Sequence, residues 1–61
     1  MQKVVTIERI STRVLNFIVK EKDTGKLYDL PAYLITSYEQ YDGDHIKTVE
    51  SEYLKPENEV N

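Results

Sequence analysis

Apolar and polar residues alternate with a period of two over much of the chain, the spacing of strands that bury one face. In the first such stretch, Val4 to Ile10, Val5 and Ile7 fall on one face and Thr6, Glu8 and Ile10 on the other. Ser11-Thr12 breaks it. Arg13 to Glu21 is the second, with Leu15, Phe17 and Val19 on one side and Val14, Asn16, Ile18 and Lys20 on the other. Val14 to Val19 is apolar on nearly both faces, so it is expected to be the most buried strand. Lys22-Asp23-Thr24-Gly25 then carries turn chemistry. Asp and Thr suit the first positions of a type I turn, and glycine supplies the positive φ of a following bulge. The spacing predicts a hairpin into a third strand, residues 26–30.

Pro31 cannot donate to a strand ladder but fits the first turn of a short helix, so a single turn is expected at 31–34. Over 35–41 the pattern favours a strand. The alternative is a short helix, because Leu30, Leu34, Tyr38 and Tyr41 recur at helical spacing. Asp42-Gly43 is a tight-turn dipeptide, and His45 to Val49 is extended. Ser51-Glu52-Tyr53 reads as one turn of 3₁₀ helix, Leu54-Lys55 as a short closing strand and Pro56 as its stop. Residues 57–61 are almost devoid of apolar side chains and are expected to be a disordered tail. The layout repeats once: Leu27–Leu34 and Lys47–Leu54 each run strand, one-turn corner, Tyr-Leu pair, twenty residues apart.

Composition reinforces the strands. Val, Ile, Thr, Tyr and Phe make up 22 of the 61 residues, and alanine occurs once. β-branched and aromatic side chains lose freedom in a helix but pack well on a pleated surface. A chain this short holds one domain and buries only about 60% of the surface its unfolded form exposes. Several short strands must hide their edges, and curling into a barrel does so economically. Ile7, Leu15, Phe17, Val19, Leu30, Leu34, Ile46, Val49 and Leu54 are the expected core. Phe17→Ala is then expected to cost about 3–5 kcal/mol.

The segment Thr48-Val49-Glu50-Ser51-Glu52-Tyr53-Leu54-Lys55-Pro56 resembles the end of a small Src-homology-3-like (SH3-like) barrel. In that family a strand leads into a single 3₁₀ turn, a Tyr or Leu plugs the barrel, and a short last strand ends in proline. The resemblance implies an all-β fold, an SH3-like barrel of five or six strands with one-turn 3₁₀ corners. It places one barrel domain at residues 1–56. The family's peptide groove uses a tryptophan, and this chain has none. The resemblance therefore implies the barrel and not proline-peptide recognition.

Charge divides the chain. The net charge is −3. Residues 1–27 carry six basic and three acidic side chains, and residues 28–61 carry two basic and eight acidic ones. With no cysteine, there is neither a disulfide framework nor a thiolate metal site. No apolar run approaches the roughly 20 residues of a membrane-spanning helix. The expected setting is cytoplasmic, with no membrane contact.

Catalytic chemistry finds little purchase. His45 is the one histidine, and none of Ser11, Ser37 and Ser51 has a glycine elbow to present it as a nucleophile. Asp42-Gly43-Asp44-His45 lacks the further carboxylates of a calcium loop and reads as a polar turn. Two glycines are too few for a phosphate-cradling loop. No catalytic residue, cofactor, metal or small-molecule substrate is expected.

Binding is the expected activity. Tyrosine buries a large ring while keeping a polar tip, which suits protein interfaces. Tyr33, Tyr38 and Tyr41 lie beside Glu39, Asp42 and Asp44, where acidic charge would steer a basic partner. The expected protein contact patch is Tyr33, Tyr38, Glu39, Tyr41 and Asp42. The same rings could instead plug and rim a barrel. The alternative partner is single-stranded nucleic acid, with Arg13, Lys20, Lys22 and Lys26 following the backbone and Tyr28 stacking on a base. A pI near 5.0 weighs against it. Self-association through an exposed strand edge is a third possibility.

Overall fold

In the computed structural model, which describes residues 1–60, the chain is all-β. Six strands form one antiparallel sheet: β1 (Gln2–Ile10), β2 (Asn16–Glu21), β3 (Leu27–Pro31), β4 (Thr36–Tyr41), β5 (Asp44–Glu50) and β6 (Glu59–Val60). Their order across the sheet is β4-β5-β1-β2-β3-β6. The helical content of the described residues is three 3₁₀ turns, at Ala32–Leu34, Ser51–Tyr53 and Pro56–Asn58. No helix is long and apolar enough to cross a membrane.

Turn chemistry sets the hairpins. At the β2–β3 turn Gly25 takes φ +75°, and its amide donates to the Glu21 carbonyl (2.8 Å). The Thr24 hydroxyl donates to Glu21 Oε1 (3.0 Å) and accepts from the Lys26 amide (3.2 Å). At the β4–β5 turn Tyr41 pairs with Asp44, so Asp42 and Gly43 are a two-residue loop, both with positive φ (52° and 81°). Two positive φ values give the turn the twist that a tight hairpin requires.

The core lies on one face of the sheet. Val5, Val19, Tyr28, Leu30 and Val49 are buried together, and Phe17, Ile35, Tyr53 and Leu54 pack against them. Both repeated corners deliver a residue to this cluster: Ile35 follows the first 3₁₀ turn, and Tyr53-Leu54 closes the second. Ile18 is buried on the opposite face, between Arg9 and Asp29 in the ladders on either side.

Several expectations are corrected. Residues 13–15 belong to the β1–β2 turn and not to a strand. There Leu15 takes φ +62° and its carbonyl accepts from the Ala32 amide (2.8 Å), so its side chain points to solvent. Leu15 is 82% exposed and Val14 87% exposed, outside the core. Ile7 also leaves the core, at 38% exposure, and Ile46 and Leu34 lie outside the buried cluster. The closing strand is Glu59–Val60, paired with Leu27 and Tyr28, and not Leu54-Lys55. Residues 57–60, most of the expected tail, thus belong to a 3₁₀ turn that starts at Pro56 and to a strand; Asn61 lies outside the described residues. The sheet is not closed into a barrel: it ends at β4 on one side and β6 on the other.

The sheet forks at Val5. β1 pairs with β5 over Gln2–Val5 and with β2 over Val5–Ile10, so Val5 alone faces a partner on both sides, Lys47 and Glu21. Beyond Val5, β5 leaves β1 and continues only with β4. This divergence explains Ile7. Its face is right for the core, but the strand that would cover it has turned away.

Candidate functional site

The β4–β5 hairpin gathers most of the expected protein contact patch. All six residues of β4 are exposed, and β4 is the end of the sheet, so its outer backbone groups have no strand partner. Across the hairpin Tyr38 faces Ile46, Glu39 faces His45 and Tyr41 faces Asp44, with an irregularity between Glu39 and Tyr41. A bulge there rotates the tip relative to the base of the strand.

The two hairpin tyrosines differ. Tyr38 is half-exposed (43%), and its hydroxyl accepts from Gln2 Nε2 (3.0 Å). Gln2 Oε1 in turn accepts from the Thr48 hydroxyl (3.3 Å), which ties the Tyr38 ring to β1 and β5. Tyr41 is 73% exposed at the tip and anchors nothing. Around them Glu39, Asp42 and Asp44 are exposed, and no ion pair among the described residues engages them. The arrangement is a free strand edge with one fixed ring, one free ring and unpaired negative charge. Tyr33 is not part of it. It lies on the first 3₁₀ turn, 85% exposed, at the opposite end of β4 from Tyr41.

The basic set does not assemble. Arg13 sits on the β1–β2 turn with Nε 3.9 Å from Asp29 Oδ2. Lys20 is toward the other end of β2, with Nζ 3.8 Å from Glu8 Oε1. Lys22 and Lys26 flank the β2–β3 turn. Tyr28, read above as a stacking ring, is 5% exposed in the core. Burial pushes its hydroxyl pKa up, the Glu21 and Glu59 carboxylates push it further, and Lys26 opposes them. A ring held there has no face to offer a base.

Sequence reasoning missed the space opened by the fork. A cleft of about 520 Å³ lies between residues 4–7 of β1 and 45–47 of β5, with Lys22 at its side. Alternation of side chains is the same whether two strands stay paired or part, so the sequence carries no local mark of it. Among the described residues no group of three His, Cys, Asp or Glu is placed to hold a metal ion. No protein family, curated protein or solved structure matches the chain.

Proposed function

We propose that this chain is a non-enzymatic binding module that takes a basic, extended segment of a partner protein along β4. The observation that carries this reading is β4 itself: an end strand, exposed at every residue, bearing Tyr38, Glu39 and Tyr41 and followed by Asp42. An extended peptide adds to such an edge through main-chain hydrogen bonds, and side chains select it. Unpaired carboxylates raise the encounter rate of a cationic segment. Tyr41 supplies a free ring, and Tyr38 a ring already ordered by Gln2.

The corner at Ser51–Tyr53, with Tyr53 and Leu54 packed on the core, supports reading the sheet as an SH3-like module with open ends. The lack of cysteine fits a reducing, cytoplasmic setting.

The test is a titration of isotope-labelled protein with a seven-residue peptide of alternating lysine and threonine, followed by amide NMR. Shifts concentrated on residues 36–44, weakening with salt and lost in Glu39→Lys/Asp42→Lys, are the expected result. Both substituted side chains are exposed, so the variant keeps its fold. A parallel titration with a mixed-sequence single-stranded oligonucleotide decides the rival. Shifts on residues 13–28 with the oligonucleotide, and none on β4 with the peptide, would overturn the reading.

A further inference from the structure

The ladder decides which backbone groups of β4 are free. The Lys22 amide donates to the Val4 carbonyl (3.0 Å), so the backbone groups of Val4 face β2 and those of Lys3 and Val5 face β5. The Ser51 amide donates to the Met1 carbonyl (2.8 Å), in step with this alternation. Lys47 and Val49 lie opposite Val5 and Lys3 and direct their groups to β1, so Ile46 and Thr48 direct theirs to β4. Their partners there are Tyr38 and Thr36. Ser37 and Glu39 are left with backbone groups pointing outward, and no turn or loop bond among the described residues takes them.

The side chains alternate in the same way. Ser37, Glu39, His45 and Lys47 share one face of the hairpin, and Tyr38 and Ile46 the other. Lys47 Nζ donates to the Ser37 hydroxyl (3.3 Å), and no ion pair among the described residues engages Lys47 or Glu39. An ammonium thus sits over Ser37 and a carboxylate at Glu39, the same two residues whose backbone is free.

We propose that β4 pairs antiparallel with β4 of a second copy, about a two-fold axis through Tyr38. Two other registers would also join the free groups. Centred on Glu39, the pair sets two carboxylates opposite each other. Centred on Ser37, it sets Glu39 against Ile35, whose amide is already given to the Ala32 carbonyl (3.1 Å). Centred on Tyr38, it sets Ser37 of each copy opposite Glu39 of the other, and each such pair exchanges both of its main-chain bonds. Each Glu39 carboxylate then lies beside the Lys47 ammonium of the other copy. On the opposite face the two Tyr38 rings meet as a cross-strand aromatic pair, each held by its own Gln2. The hairpin tips, with Asp42 and Asp44, point away from each other. The irregularity beyond Glu39 keeps the seam short, so the dimer is weak and concentration-dependent. A two-fold contact closes at two copies and covers the exposed edge. The pairing uses the edge on which the function above rests, so a basic segment and a second copy compete for it, but the dimer needs no such segment.

Sedimentation and amide NMR over a concentration series test this. The average mass should rise toward that of a dimer, with shifts confined to the β4–β5 hairpin. In a mixture of two differently labelled copies, the Tyr38 α-protons should show an intermolecular nuclear Overhauser contact, as a closely spaced non-hydrogen-bonded pair does. Glu39→Lys sets a lysine beside Lys47 of the other copy and should weaken the dimer about tenfold. Lys47→Glu should do the same, and Glu39→Lys/Lys47→Glu should restore it. If a charge variant fails to fold, Ser37→Pro removes an outward amide and no β4–β5 bond, and should also abolish pairing. A chain that stays monomeric up to its solubility limit overturns the pairing. So does a dimer that Glu39→Lys leaves unchanged, or one whose shifts fall on other strands. The lysine–threonine peptide separates the two uses of the edge. Peptide shifts on β4 in a chain that never dimerises strike the pairing alone; a Tyr38-centred dimer that ignores the peptide upholds the pairing and strikes the other reading.

Discussion

Asp29 fastens the β1–β2 turn to the sheet. Its Oδ2 accepts from the Ser11 hydroxyl (2.6 Å) and its Oδ1 from Asn16 Nδ2 (2.9 Å), while the Ser11 oxygen accepts from the Arg13 amide (3.0 Å). Burial on its own would raise the carboxyl's pKa; the hydrogen bonds from Ser11 and Asn16, with Arg13 nearby, outweigh it and hold the group below its usual value. A depressed carboxylate contributes stability that is present above the ordinary aspartate pKa of about 3.9 and is lost as pH falls through the lower, folded value. Asp29→Ala should cost about 2 kcal/mol in urea unfolding at neutral pH. Asp29→Asn should flatten the loss of stability below about pH 4 relative to the parent. Tyr28 runs the other way. Its raised pKa contributes stability that is complete below the ordinary tyrosine value of about 10 and is lost as pH climbs through the folded value. With no tryptophan to interfere, absorbance titration should show one of the five tyrosines ionising late, together with unfolding. Tyr28→Phe should remove that phase.

At the scale of turns and strands, backbone conformation makes separable predictions. Leu15 sits in the left-handed region with its side chain in solvent, a conformation that costs a non-glycine residue about 1–2 kcal/mol. Leu15→Gly should therefore raise the urea midpoint, by a net of about 0.5–1 kcal/mol after glycine's entropy. Gly43→Ala should lower it by about 1 kcal/mol. A Cβ on Gly43 meets nothing within 4 Å, so that cost is conformational alone. These positions also show what was legible in the sequence. Asp23-Thr24-Gly25 and Asp42-Gly43 were readable because turn chemistry is local, and residues 36–41 came out as the favoured strand. Val14 and Leu15 misled because apolar side chains normally report burial, and no composition marks a leucine that turns outward. β6 escaped because its two residues are held by ladder bonds to Leu27 and Tyr28 that need no particular side chain. Of the candidate site, Tyr38, Glu39, Tyr41 and Asp42 were legible as neighbours on one hairpin. Tyr33 was near them only along the chain, because an extended strand carries residues apart at about 3.3 Å each.

At the scale of the whole molecule, five buried residues support a sheet with two open ends. Leu30 is wholly buried, and Leu30→Ala should cost about 3 kcal/mol and leave a domain of this size largely unfolded by circular dichroism. Leu15→Ala, by contrast, should leave the melting temperature nearly unchanged; an unfolded Leu15→Ala would overturn this core. Removal of residues 56–61 should expose the outer edge of β3 and make the protein associate, as sedimentation would show. The fork has one more consequence, for the order in which the chain assembles. β1, β2 and β3 are successive neighbours and close by short loops, and so do β4 and β5, but Gln2 must find Glu50 to join the two groups. Long loops close late, so the three-stranded meander and the hairpin should form separately and meet last along Gln2–Val5. A seam of four residue pairs is also the first to part again. Native-state hydrogen exchange should therefore show the hairpin amides exchanging together, and sooner than those of β2.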